Sequence, residues 1–131
     1  MMKKLLLVIT LFVSVQSKAQ FTNDSLLNVV VHDQSGSEQA TPLVASRADG
    51  GAYISWFDQS TGAYVLKMNR LDAAGNKLWG ATGVVVSNAP QNTALFRYDL
   101  KTDHLGNAVV AFQDERTGSM QIVVQKLDST G

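Results

Sequence analysis

The chain has 131 residues, the size of one domain, and a formal net charge of zero. It contains no cysteine, which excludes disulfides, thiolate metal sites, cysteine nucleophiles and a lipid anchor on a first mature cysteine. Beyond residue 19, eight basic residues face eleven acidic ones without a lysine or arginine cluster, which argues against nucleic acid and anionic membranes as partners.

Residues 1–19 have the three parts of a secretory signal peptide. Lys3 and Lys4 form the positive part, and residues 5–15 (LLLVITLFVSV) form the apolar part. An apolar helix of that length spans about 16 Å, roughly half of a bilayer core, so cleavage is favoured over a membrane anchor. We predict cleavage between Ala19 and Gln20, export to the cell surface or medium rather than the periplasm, and no later transmembrane segment.

The rest of the chain contains an internal repeat. Shifted by 56 positions, residues 41–75 align without gaps on residues 97–131. Eight of the 35 aligned positions are identical, where average composition gives about two. Most of the matches are turn residues, and the full set is Gly50/Gly106, Ala52/Ala108, Asp58/Asp114, Thr61/Thr117, Gly62/Gly118, Leu71/Leu127, Asp72/Asp128 and Gly75/Gly131.

Apolar and polar residues alternate within each repeat, which predicts half-buried strands rather than helices. We predict four strands in the first repeat, near 42–47, 52–57, 63–71 and 77–87. The short loops between neighbours require an antiparallel meander. Residues 88–94 are predicted to form a loop between repeats, and residues 28–32 a strand that closes a ring.

Four strands in a repeating unit are typical of a β-propeller blade. The predicted fold is therefore all-β, with four-stranded antiparallel meander repeats that form about two incomplete blades of a β-propeller. The predicted organisation is a signal peptide (1–19), an N-terminal segment with the ring-closing strand (20–40), repeat 1 (41–94) and a truncated repeat 2 (95–131). Because the second repeat stops before its fourth strand, the sequence is expected to be a fragment of a longer reading frame.

Two segments of the first repeat carry a resemblance to a known family. They are residues 49–58 (DGGAYISWFD) and 71–80 (LDAAGNKLWG). Together with the signal ending in Lys-Ala-Gln, they resemble secreted β-propeller repeat proteins of Bacteroidetes type over about residues 28–131. The second repeat departs from the pattern, since His104-Leu105-Gly106-Asn107 replaces the Asp-Gly-Gly turn. The resemblance implies an extracellular protein, and full-length members often carry a sorting domain for type IX secretion.

Aspartate and glycine residues mark the predicted turns. Asp58-x-x-Thr61-Gly62 and its counterpart at 114–118 follow the second strand of each repeat. An Asx-turn is favoured there over calcium binding, because calcium needs about 6–8 oxygen ligands and each loop offers few. The same structural role is predicted for the full set of turn residues, namely Gly50, Asp58, Gly62, Asp72, Gly75, Gly106, Asp114, Gly118 and Asp128.

Histidines and large aromatic residues are the remaining candidates for a site. His32 and His104 are the only histidines, and without a matched partner both are predicted to lie on the surface. Trp56 and Phe112 share a repeat position, which favours core packing between blades. Trp79 is the candidate for stacking on a sugar ring, although core packing is favoured there as well.

Motifs for a nucleophile elbow, a zinc protease or a phosphate loop do not occur in the sequence. No catalytic, cofactor-binding or metal-binding residue is therefore predicted. The first hypothesis is an exported, non-catalytic propeller that acts as a binding or adhesion scaffold for an unknown protein or glycan. One alternative is the N-terminal part of an exported carbohydrate-active enzyme whose catalytic residues lie beyond residue 131. The other is a structural spacer between domains, and the fold alone does not decide among the three.

Overall fold

The computed structural model describes residues 24–95 and 97–131, so the predicted signal peptide and its cleavage site at Ala19 and Gln20 lie outside the described residues. The described part is all-β, as predicted, and contains no helix that could cross a membrane. Its strands are β1 (Gln39–Ser46), β2 (Ala52–Asp58), β3 (Tyr64–Leu71), β4 (Val84–Gln91), β5 (Tyr98–Thr102), β6 (Ala108–Asp114) and β7 (Gln121–Leu127).

The strands form two antiparallel sheets that follow chain order. The first sheet has the order β1-β2-β3-β4 and the second β5-β6-β7. In the first sheet Ala52 pairs with Leu71, and in the second Ala108 pairs with Leu127. Every residue pair of the β6–β7 hairpin therefore lies 56 positions after a pair of the β2–β3 hairpin.

The core lies between the two sheets. Tyr53, Phe57, Leu66 and Met68 of the first sheet share one buried cluster with residues of the second sheet, chiefly Leu100, Val110, Phe112 and Leu127. The Phe57 ring meets the Tyr98 ring edge-on, with centroids 5.3 Å apart. Burial of one such side chain stabilises a fold by about 1.5–3 kcal/mol, so the packing of the two sheets contributes several times that amount.

Strands β2 and β3 are buried on both faces, although the alternation of their residues predicts half-buried strands. In β2 only Ile54 keeps partial exposure. Its odd-numbered residues pack on the second sheet, whereas Trp56 and Asp58 on the other face are covered by His32. When a central strand is covered on both sides, its two faces no longer differ in burial.

The fourth strand lies further along the chain than predicted. Residues 77–87 were expected to form it, but β4 runs from Val84 to Gln91 and takes in much of the predicted 88–94 loop. Before it the chain makes only a single bridge between Leu71 and Lys77. Gly80 and Gly83 then adopt φ of 80° and 69°, a conformation that interrupts a strand.

The predicted ring-closing strand at 28–32 is not formed. The backbone there belongs to no strand, whereas the edge of the first sheet is formed by β1. His32 instead stacks on the Trp56 ring, with centroids 5.2 Å apart. The segment thus lies across the face of the sheet, where its backbone groups cannot join a hydrogen-bond ladder.

Candidate functional site

A buried carboxylate with several polar neighbours stands at the end of β2. Asp58 has a fully buried side chain. Its Oδ1 accepts a hydrogen bond of 3.0 Å from the Ser60 backbone N–H and a short one from the Ser60 hydroxyl, and it lies 3.2 Å from Lys67 Nζ. Lys67 is on the same face because the strand register pairs it with Trp56. The local turn and the β2–β3 pairing together position this cluster.

His32 completes the cluster, which corrects the prediction of a surface histidine. Its side chain is only 3% exposed, and Nε2 lies 2.9 Å from Oδ2 of Asp58. Neither atom has a partner in hydrogen-bond geometry among the described residues, so the contact is close but poorly aligned. Sequence reasoning missed it because His32 and Asp58 are distant in the chain and only the tertiary structure brings them together.

The environment of Asp58 has a marked effect on its pKa. Burial acts to raise it, but the two hydrogen bonds from Ser60 and the hydrogen bond and charge of Lys67 outweigh burial and lower the pKa to about 2. The folded state therefore holds the carboxylate in its charged form across the neutral and mildly acidic range. Oδ1 and Oδ2 are both directed at groups of the protein itself.

We expect acid to weaken the fold through this residue. Because the folded pKa lies below the unfolded value of about 3.9, the Asp58 carboxylate stabilises the fold above about pH 4. The contribution, up to about 2 kcal/mol, is lost as the pH falls from about 4 to about 2. Urea unfolding of the protein and of Asp58→Asn across this range measures it. The difference between the two should shrink toward low pH, and a constant difference would contradict the assignment.

The cluster is poorly suited to catalysis. A general base must reach the proton that it abstracts from a substrate. Both ring nitrogens of His32 are inaccessible to solvent, as is Oδ2 of Asp58. A cavity of about 240 Å³ lies beside His32 and Trp56, but its other walls are mainly apolar, including Val30, Pro42 and Ile54. The arrangement is that of a buried contact that holds the N-terminal segment on the sheet.

The equivalent carboxylate of the second sheet is Asp114, also fully buried. The Arg116 guanidinium contacts both of its oxygens, with Nε 2.8 Å from Oδ2, and hydrogen bonding to Arg116 lowers the pKa of Asp114. Ser87 on β4 lies 3.5 Å from Oδ2, so this pair also touches the first sheet. At both positions a cationic side chain, Lys67 beside Asp58 and Arg116 beside Asp114, already contacts the carboxylate that a calcium ion would have to bind.

The turns have the geometry of Asx-turns. The Ser60 backbone N–H donates to Asp58 Oδ1 and that of Arg116 to Asp114 Oδ1. Asp72 accepts from Ala74 and Asn76, and Asp128 from Thr130. Positive φ values occur, as such turns require, at the predicted glycines Gly50, Gly62, Gly75, Gly106 and Gly118. No group of three or more potential metal-ligating side chains occurs in the described ranges.

Arg47, which the sequence did not single out, connects the two sheets, and Asp103 shapes the turn that Arg47 contacts. Arg47 donates through Nη1 to the carbonyl of Gly106 and, at 2.6 Å, to the Tyr53 hydroxyl, which itself donates to the same carbonyl at 2.8 Å. Asp103 shapes the receiving turn by accepting from the backbone and side chain of Asn107. The sequence does carry a signal for Asp103, because residues 72–76 and 103–107 share the pattern Asp-x-x-Gly-Asn.

Trp79 is buried, in agreement with the favoured prediction of core packing rather than sugar stacking. Its ring packs at 5.3 Å from the Tyr53 ring, and Nε1 donates to the carbonyl of Ser129 at 3.1 Å. Because the ring fills the space between the sheets, it presents no open face to a ligand. His104, by contrast, is exposed as predicted.

The side chains of the cluster and the turns therefore contact other groups of the protein. Asp58, Asp114 and Trp79 are each held by neighbouring residues. Comparisons with protein-family models, with curated proteins and with solved structures found no match for this chain.

Proposed function

We propose that this chain is an exported, non-catalytic scaffold of blade-like sheets that belongs with the β-propeller repeat proteins. The carrying observation is the shared register of the two hairpins, 56 positions apart, in sheets that stack face to face in chain order. Successive meanders stacked in this way are the building plan of a propeller. On such a scaffold the loops at the ends of the sheets bind a protein or glycan at the cell surface.

The use of the charged residues supports a scaffold rather than an enzyme. Catalytic sites hold ionisable groups where a substrate can reach them. Here the buried carboxylates of Asp58 and Asp114 are neutralised by Lys67 and Arg116. Their turns fix the geometry of the loops, which is what a binding surface needs.

Export is testable through the N-terminus of the protein made by a bacterial host. We expect protein outside the cytoplasm that begins at Gln20, as read by mass spectrometry after cell fractionation. Ala19→Arg should block processing, since signal peptidase requires a small residue there. Intact protein that begins at Met1 in the cytoplasm would contradict export.

Binding without turnover is tested with the same purified protein on an array of glycans. Retention of a glycan that is later recovered unchanged supports a scaffold. Release of shortened glycan would contradict it and favour an enzyme.

A further inference from the structure

Within the described part of the chain, one face of the second sheet has no other sheet packed on it. We call it the open face. Its apolar residues are Val109, Ala111, Ile122 and Val124, and the strand registers place Asp99, Lys101, Gln113 and Lys126 on the same side. Ile122 is 72% exposed and Val124 61%. Ile122 and Val124 lie two residues apart on β7, so their exposed side chains adjoin on this face.

The first sheet shows what such a face packs against. The residues 56 positions before Ile122 and Val124 are Leu66 and Met68, and both are fully buried. They are covered by the face of the second sheet that carries Leu100, Val110 and Phe112. The partner of the open face should therefore resemble that covering face.

The chain itself carries a second surface of that kind. Val44 and Ile54 lie 56 positions before Leu100 and Val110, and with Val85 they form the uncovered part of the outer face of the first sheet. Trp56, on the same face, is already covered by His32. Val44 is 65% exposed, whereas its counterpart Leu100 is 3% exposed inside the molecule. The apolar cavity of about 240 Å³ lies on this outer face, where an incoming side chain would meet it.

We propose that the open face binds the outer face of a second copy of this chain. Ile122 and Val124 on one face, and Val44 and Ile54 on the other, correspond to residues of the two halves of the interface that the chain already forms between its own sheets. Because they are different surfaces, the contact is head-to-tail and leaves one of each free, so copies add in a row. This inference concerns self-association and does not depend on the proposed export or ligand.

Sedimentation velocity and light scattering of the purified protein over rising concentration test the proposal. The wild-type protein should associate beyond a dimer. Ile122→Lys/Val124→Lys should block the open face, and Val44→Lys the outer face, each weakening association at least about tenfold. All three sites are exposed, so circular dichroism should show an unchanged fold. Leu105→Lys, at an exposed leucine in the turn between β5 and β6, is the matched control and should associate like the wild type.

Mixing the two blocked variants gives the decisive result. The Ile122→Lys/Val124→Lys protein retains an intact outer face, and the Val44→Lys protein an intact open face. Together they should form a one-to-one heterodimer that does not extend, at concentrations where neither variant associates alone. A wild-type protein that stays monomeric, variants that associate normally, or a mixture that contains only monomers would each overturn the proposal.

Discussion

Replacing Asp58 with alanine is expected to lower the free energy of unfolding by about 3 kcal/mol. The carboxylate is fully buried and neutralises Lys67, whose side chain is itself mostly buried. Removing it leaves an ammonium group without its counter-charge and the Ser60 backbone N–H without its acceptor. A loss of this size is a large part of the total stability of a small domain, so the variant should melt at much lower temperature. Urea unfolding followed by circular dichroism measures it.

Two further variants separate the charge from the loss of packing. Lys67→Met removes the unpaired charge, so in the Asp58→Ala background it should recover stability rather than add to the loss. Asp99→Ala removes an exposed carboxylate that contacts Lys101, and it should cost no more than about 0.5 kcal/mol. Additive losses for Asp58→Ala and Lys67→Met would show that the ion pair has no coupling energy.

Gly83→Ala is expected to have a similarly large effect, at least about 3 kcal/mol. Its φ is 69°, and an added Cβ would lie 2.4 Å from the Met68 carbonyl oxygen and 3.0 Å from the Trp56 ring. The neighbouring residue Val84 pairs with Met68, so relief of this clash must separate β4 from β3. Urea unfolding should show the loss, together with a weaker strand signal by circular dichroism.

Gly80→Ala is the matched control in the same loop. Its φ is 80°, and an added Cβ would meet nothing within 4 Å. Only the cost of a left-handed conformation remains, about 1–2 kcal/mol. Equal losses for the two variants would mean that the clash at Gly83 is relieved without effect on the strand pairing.

The central strands show how much of the fold is local. The second strand was predicted at 52–57 and is observed at 52–58. The third was predicted at 63–71 and is observed at 64–71. Both are bounded by Asp and Gly turns whose hydrogen bonds lie within five residues, so their ends depend on nearby sequence. The fourth strand was misplaced because Gly80 and Gly83 interrupt the chain before Val84, while Trp79 packs into the core rather than along β3.

The candidate site was less predictable. Asp58 was recognised as a turn residue, but its contacts with His32 and Lys67 were not. His32 comes from a segment without regular structure, and nothing in its neighbours indicates which face it covers. Arg47 was missed for the same reason, since its acceptor on Gly106 belongs to the other sheet.

By itself the sequence determined the all-β class, the order of strands in each meander and the positions of the tight turns, because alternation and Asp-Gly chemistry act over a few residues. Only the tertiary structure decided which of two equivalent apolar faces is buried. Leu66 and Ile122 occupy equivalent positions in the β2–β3 and β6–β7 hairpins, yet Leu66 is buried and Ile122 is exposed to solvent. Whether a face is buried depends on whether another sheet packs against it, and the sequence of a single strand does not determine this.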